Sequence, residues 1–190
     1  GIGMIANYNG RNVIGKASRL LITADIAEQP KFMTQYQKNF GNSKNWWWRS
    51  ELAHERLTQK VFIDGNEVED LKDKTVRFNS QVNRNIDALR SYVGVGVSYH
   101  YSDVSPSVSP EFRENILQLS HYFVNYASVD VHYSYNSLNK VFYPTTGHLV
   151  QFQFSRSLFQ DVKLKYSDPS ISDVDGSTND FYKLQLNFEK

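Results

Sequence analysis

Residues 128–155, SVDVHYSYNSLNKVFYPTTGHLVQFQFS, contain two alternating segments joined by a polar turn. Successive side chains of a strand point to opposite faces, so each segment separates an apolar face from a polar one. The apolar positions are Val129, Val131, Tyr133, Tyr135, Val150, Phe152 and Phe154, and the polar positions are Asp130, His132, Ser134, Asn136, Gln151, Gln153 and Ser155. Pro144 fixes φ and Gly147 tolerates a positive φ, so the stretch predicts an antiparallel hairpin.

The composition indicates one β-rich domain, covering residues 1–190. The chain has 40% hydrophobic and 14% aromatic residues, and aromatic side chains favour pleated, half-buried surfaces. A net charge of +1 argues against nucleic acid or another polyanion as a partner. Because there is no cysteine, disulfides, thiolate metal sites and thiol nucleophiles are excluded.

Alternation recurs along the chain. No apolar run approaches the roughly 20 residues of a spanning helix. The chain begins Gly-Ile-Gly without a charged and then apolar leader, which says little about a signal peptide, because a mature or truncated product also starts in this way. About ten or eleven strands of membrane-strand length, ~10 residues, are predicted. The predicted segments are 2–8, 17–27, 32–40, 46–58, 75–81, 92–102, 114–125, 128–136, a strand from His148, and 182–188. Val162, Leu164 and Tyr166 form either a further strand or the extension of the one from His148.

Three stretches are predicted to interrupt the strands. Asn9-Gly10 is a strong turn signal, and the charged residues 61–74 are typical of a long hairpin loop. Val82, Ile86 and Leu89 recur at helical spacing, which predicts one short helix near 80–90.

Trp46, Trp47 and Trp48 open a predicted strand. At least one of the three must point away from the others, because neighbouring strand residues face opposite sides. In a soluble domain they would be core residues. In a membrane protein they would belong to an aromatic ring at the level of the lipid headgroups, which also explains their place at a strand end.

The sequence predicts no catalytic residue, cofactor site or metal site. It has no GxSxG elbow, HExxH, Walker loop or dinucleotide fingerprint. The acidic loop 173–180 looks like a calcium loop, but the twelfth position is Leu184 and not a glutamate, so a plain loop is favoured. The five histidines, His54, His100, His121, His132 and His148, lack ligand spacing, and hydrogen-bonded or hydrated side chains are expected.

The turn resembles a pattern found in the barrels of the BamA-like outer-membrane assembly and secretion superfamily, the bacterial surface antigens. That pattern combines Asn-x-Leu-(Asp/Asn), two aromatic residues and Pro-Thr-x-Gly before an alternating strand. The matching residues are Asn136, Leu138, Asn139, Phe142, Tyr143, Pro144, Thr145 and Gly147. The resemblance is specific over residues 128–190. Earlier segments, such as RSYVGVGVSYHYSD, resemble strands in the barrels that are fused to patatin-like phospholipases.

The resemblance implies an all-β, antiparallel, up-and-down transmembrane barrel, or part of one, in a bacterial outer membrane. The family's barrels are larger, and their luminal Arg-Gly-aromatic loop does not occur here, so a fragment of a longer protein is expected. The implied function is to anchor, insert or translocate a partner polypeptide, fused or separate, such as a patatin-like phospholipase domain. The chain itself would then not be an enzyme, and any lipase activity would lie in a domain outside it.

Alternation alone does not tell which face is inside. A membrane barrel turns Val93, Val95 and Val97 toward lipid, whereas a soluble barrel that binds a hydrophobic small molecule turns them inward. A cell-surface structural or adhesive domain is a third possibility. Charged loops, Trp and Tyr near strand ends, and large polar side chains on successive strands favour the membrane barrel.

Overall fold

The computed structural model describes residues 3–41, 45–87, 90–107, 119–139, 145–176 and 178–189. Over these residues the chain is all-β, with ten strands and no helix. The described residues therefore include no helix that is long and apolar enough to cross a membrane. The strands are β1 Met4–Arg11, β2 Ser18–Ile26, β3 Lys31–Phe40, β4 Trp46–Ile63, β5 Asn66–Asp87, β6 Ser91–Pro106, β7 Leu119–Asn136, β8 Leu149–Tyr166, β9 Val174–Asp175 and β10 Tyr182–Glu189.

The strands form one antiparallel sheet with up-and-down topology. Each strand from β1 to β8 pairs with the next, and β10 pairs with the other edge of β8. The two-residue β9 adds only a short pairing to the far end of β8. The sheet is open, since β1 and β10 form its two edges and do not pair with each other.

The prediction of a long loop over residues 61–74 is wrong. β4 continues to Ile63 and β5 starts at Asn66, so only Asp64 and Gly65 connect them. Both residues have positive φ, 49° and 80°, as a two-residue type I′ hairpin turn requires. The charged residues of this region therefore belong to paired strands.

The predicted helix near 80–90 is also wrong, because β5 runs without a break through Asp87. The reason is that a spacing of four residues places two side chains on one face of a strand as well as on one face of a helix. Val82 and Ile86 have this spacing, and Val82 pairs with Trp48 on one side and Val95 on the other. Leu89 lies outside the described residues.

Both strands of the 128–155 hairpin are longer than alternation predicted. β7 joins the region predicted as 114–125 to the one beginning at Ser128, with 114–118 outside the described residues. β8 extends to Tyr166, so Val162 and Leu164 belong to the extension of the strand from His148. A register shift at Ala127/Ser128 separates the two halves of the ladder.

The first turn was predicted at Asn9-Gly10, but it lies further along the chain. β1 continues to Arg11, and the connection to β2 includes Asn12 and Ala17, both with positive φ near 59°. The Asn12 Oδ1 atom accepts a 2.8 Å hydrogen bond from the Ala17 backbone N–H. Alanine rarely adopts a positive φ, and this side-chain hydrogen bond stabilises Ala17 in that conformation.

The pairing register keeps apolar side chains on one face of the sheet, which we call the apolar face. One row across five strands consists of Val82, Val95, Val131, Phe154 and Leu184. The opposite face, which we call the polar face, carries the residues between them in sequence, such as Gly94 and Asp130. In β6, which includes the predicted segment 92–102, alternation separates Val93, Val95, Val97, Tyr99 and Tyr101 from Gly94, Gly96, Ser98 and His100.

Candidate functional site

The side chain of Asn139 connects the two ends of the turn between β7 and β8, which contains the sequence motif 136–147. Its Oδ1 accepts hydrogen bonds from the backbone N–H groups of Thr145, at 3.1 Å, and Thr146, at 3.3 Å, and its Nδ2 donates to Thr145 Oγ1 at 2.9 Å. The Asn136 Oδ1 atom accepts a bond from the Leu138 N–H at 3.0 Å. Asn136, Asn139 and Thr145 thus have local structural roles in fixing the turn.

Gly147 is required by both its conformation and its surroundings. Its φ is +100°, a region that side chains with a Cβ rarely adopt. A Cβ built there would meet the Ser137 carbonyl oxygen and would lie 2.9 Å from Leu138 Cα. Phe142, Tyr143 and Pro144, the remaining residues of the motif, lie outside the described residues.

The apolar face leaves many large side chains exposed. Val95 is 58% exposed, Phe154 41% and Leu184 62%. Trp46 and Trp48 belong to this face and Trp47 to the polar one, because Trp46 and Trp48 pair with Arg84 and Val82 while Trp47 pairs with Asn83. The prediction that one tryptophan points away from the others is confirmed.

Along the middle of the sheet, the buried residues are mostly small and polar. They share the polar face: Ala53, Thr75, Asn83, Ser102, Ser128, Asp130, Ser134, Ser155 and Ser157. Asn83 and Ser157 are 0% exposed. Burial here thus accompanies polarity, the reverse of the pattern in a water-soluble core.

A hydrogen-bonded cluster crosses three strands on the polar face. His132 Nε2 lies 2.6 Å from Asn83 Oδ1, and His132 Nδ1 lies 2.8 Å from Asp130 Oδ2. Asn83 and His132 are the two cross-strand partners of Gly94, one on each side. Their side chains can meet only because Gly94 has no Cβ, and a Cβ on Gly96 would similarly lie 2.6 Å from Asp130 Oδ1. The Asn83 Nδ2 atom is buried and has no hydrogen-bond partner among the residues that the structure describes.

A second, charged cluster lies on the same face, on strands β3, β4 and β5. Arg49 forms a 3.1 Å ion pair with Glu51 and a 3.2 Å hydrogen bond with Gln35 Oε1. Arg77 pairs with Glu55 at 2.9 Å. Together with His100, Arg49, Glu51 and Arg77 line a cavity of ≈ 560 Å³. Arg49 and Glu51, like His132 and Asp130, are therefore paired with each other on the polar face.

The histidines do not converge. His54 lies in register with Phe32 and Val76, on the apolar face. His121, near the start of β7, forms a 2.9 Å hydrogen bond between its Nδ1 atom and the Oδ1 atom of Asp103, near the end of β6. Within the described ranges, no group of three or more His, Asp or Glu side chains could hold a metal ion. In the acidic loop 173–180, Val174 and Asp175 pair with β8.

Sequence reasoning missed the contact between Asn83 and His132. The two residues are 49 positions apart, and only the pairing register brings them to either side of one glycine. Two glycines on one face of β6 were the available signal, because they indicate a place where other groups approach the backbone closely.

No model of a protein family matches this chain, and no curated protein matches it with significant sequence similarity.

Proposed function

We propose that this chain forms part of a transmembrane β-barrel in a bacterial outer membrane, with its apolar face toward lipid and its polar face toward a lumen. The observation that carries the proposal is the reversal of burial between the two faces. Val95 and Leu184 are exposed on one face, whereas Asn83 and Asp130 are buried on the other. Lipid makes such exposure favourable, because apolar side chains then avoid contact with water.

Backbone hydrogen bonding favours the same arrangement. In a membrane every backbone N–H and C=O must find a partner, and an antiparallel sheet provides partners for all but its edge strands. Closure of the sheet would remove the unpaired groups of β1 and β10.

The tryptophans at the start of β4 fit the edge of a lipid-facing band. Phe40 stacks on Trp46 at 6.4 Å, and the Arg84 guanidinium lies 5.6 Å from the Trp46 ring. An aromatic ring with a charged group above it is suited to the headgroup region, where apolar and polar surroundings meet.

The proposed role is to anchor, insert or translocate a partner polypeptide, either fused or separate. This part depends on the resemblance of the turn, whose residues Asn136, Asn139, Thr145 and Gly147 act together to close it. Under this proposal any patatin-like lipase activity belongs to another domain, and the outer-membrane lipid is the chain's direct partner.

A soluble barrel with a hydrophobic ligand is less well supported. It would place Val95, Val131 and Phe154 in its interior, but these side chains are 58%, 48% and 41% exposed. A detergent requirement separates the two ideas, since a soluble barrel would remain monodisperse without detergent or lipid.

Fluorescence quenching by brominated lipids tests the orientation directly. The three tryptophans are the only ones in the chain, and they alternate between the two faces. In vesicles, the Trp47→Phe variant retains Trp46 and Trp48 and should be strongly quenched. The matched variant Trp46→Phe/Trp48→Phe retains only Trp47 and should be quenched weakly.

Equal quenching of the two variants, or stronger quenching of Trp47, would contradict the orientation of the faces. Failure of the unsubstituted chain to associate with vesicles would contradict the membrane assignment itself.

For the translocation role, Phe142→Ala with Tyr143→Ala should fold normally but lose passenger export if the turn contacts the passenger. Loss of folding would instead assign these aromatic residues a structural role.

A further inference from the structure

A cavity of ≈ 240 Å³ opens on the polar face beside the Asn83–His132–Asp130 cluster. Residues from β5, β6, β7, β8 and β10 line it, so it lies across five strands of the sheet. Six of its side chains are amides: Asn79, Gln81, Gln151, Gln153, Gln185 and Asn187. Pockets for drug-sized ligands have volumes of roughly 300–1,000 Å³, so this smaller cavity suits a smaller ligand, of the size of one sugar ring.

Several of these amides have unused hydrogen-bonding capacity. The Asn187 Nδ2 atom donates to Gln151 Oε1 at 3.2 Å. The side chains of Gln81, Gln153 and Gln185 make no hydrogen bond to any part of the chain that the structure describes. Each amide offers both a donor and an acceptor, as does each hydroxyl group of a polyol. The free groups are therefore complementary to a ligand rich in hydroxyls.

The charges around the cavity favour a neutral ligand. Asp130 is buried and already bonded to His132 at 2.8 Å, and no Lys or Arg is among the described residues that line the cavity. The neighbouring charged cavity, by contrast, contains Arg49 and Arg77. An anion would thus find its cationic partners in the second cavity and not in this one.

Tyr92 provides one fixed aromatic wall. Its ring meets Trp47 edge-on at 5.2 Å and His132 at 6.0 Å, so contacts on two sides hold it in place. The face of an aromatic ring is apolar enough to pack against the C–H groups of a sugar while its hydroxyl remains available for a hydrogen bond.

We infer that this amide-lined cavity binds a neutral polyhydroxy ligand of about monosaccharide size. The site goes beyond the proposed function and exists whether or not the apolar face lies in lipid.

Ligand binding is tested on the full chain folded in a zwitterionic detergent, because detergents with sugar headgroups would compete for the site. Saturation-transfer NMR and calorimetry are run with glucose, N-acetylglucosamine and maltotriose as neutral probes. Glutamate and choline serve as anionic and cationic controls. The test variants are Gln153→Leu and Gln185→Leu, whose side chains have no hydrogen bond in the described chain to lose. Gln37→Leu, on the polar face of β3, is the matched control because Gln37 lies outside the cavity.

We expect at least one neutral sugar to bind, with affinity about fivefold or more weaker in each cavity variant, as the loss of one hydrogen bond implies. Binding to Gln37→Leu should equal that of the unsubstituted chain. Absence of binding by all three sugars would overturn the inference. So would equal affinity in the cavity variants, or a preference for glutamate or choline.

Discussion

Asn83 and His132 share a 2.6 Å hydrogen bond across the backbone of Gly94, although a whole strand separates their own strands. Asp130 holds the other ring nitrogen of His132. Both ring nitrogens therefore have oxygen neighbours, and the imidazole is fixed between β5 and a second residue of its own strand. The bond connects two strands that have no backbone pairing, so it links the polar face beyond nearest neighbours.

A double-mutant cycle measures this link. Asn83→Ala and His132→Ala should each destabilise the folded chain, because the first removes a hydrogen bond of the partly buried His132 ring and the second one of the fully buried Asn83 amide. The coupling free energy should be about 1 to 3 kcal/mol, as expected for residues in direct contact. Urea unfolding in lipid vesicles provides the free energies. Additive effects would mean that the contact contributes nothing to stability.

Gly94→Ala should disrupt the same cluster from the middle. The new Cβ would meet Asn83 Oδ1 and His132 Nε2 and would lie 2.9 Å from Asn83 Cγ. The free energy of unfolding should fall by roughly 1 to 3 kcal/mol, the usual cost of forcing extra volume into a packed site. In the Asn83→Ala background the same substitution should cost less. An equal cost in both backgrounds would contradict steric conflict with Asn83.

Gly147→Val should destabilise the turn by about 1 to 3 kcal/mol, because valine is strained at positive φ and its Cβ would meet the Ser137 carbonyl. The heat-dependent gel shift that distinguishes folded from unfolded barrels reports the folded fraction. Thr146→Val introduces the same residue one position earlier, where φ is not positive, and should fold normally. Normal folding of Gly147→Val would show that the turn does not depend on this glycine.

Asn139→Ala should weaken the turn through the loss of three side-chain hydrogen bonds to Thr145 and Thr146. Asn139→Asp retains the acceptor for two backbone N–H groups and should therefore keep most of the stability. A loss of about 1 to 3 kcal/mol is expected for alanine and a smaller one for aspartate. The same gel-shift assay ranks the two variants, and the reverse ranking would argue against the acceptor role of Oδ1.

Single cysteines distinguish the environments of the two faces. The chain has no natural cysteine, so Val97→Cys and Ser98→Cys compare neighbours on opposite faces without further substitutions. A membrane-impermeant thiol reagent should label the residue at 98 and not the one at 97 when the protein is in vesicles. Preferential labelling at 97 would reverse the assignment.

Val95→Lys should lower the free energy of unfolding by about 2 to 4 kcal/mol if Val95 lies near the bilayer midplane.

Local periodicity was sufficient to predict the strands and their faces wherever apolar and polar residues alternate. β6 and the facing halves of β7 and β8 are examples, because a side chain's face depends only on its position in the strand. Alternation failed in the extensions, such as the region around Arg56 and Lys72, where both faces carry polar residues. There the alternation of apolar and polar residues disappears, and only the turn residues Asp64 and Gly65 indicate the hairpin.

The candidate sites were predictable to different degrees for a related reason. The bonds of Asn139 close within seven residues, so the sequence of the turn contained most of the information. The cavity amides Gln81, Gln153 and Gln185 lie on three strands, and only the register of several ladders brings them together. No local pattern specifies such a register, because it depends on pairing across the whole sheet.

The two-residue turn between β4 and β5 also bears on how the chain folds. Closing a short loop costs little chain entropy, and this turn brings together a ladder that runs from Ile63 and Asn66 to Trp46 and Arg84. Because the other long strands pair with their neighbours in sequence, each can then add to an edge that already exists. Assembly by successive hairpins avoids the slow search for distant partners that delays folding in many β-proteins. The sheet can therefore grow outward from β4 and β5 in both directions.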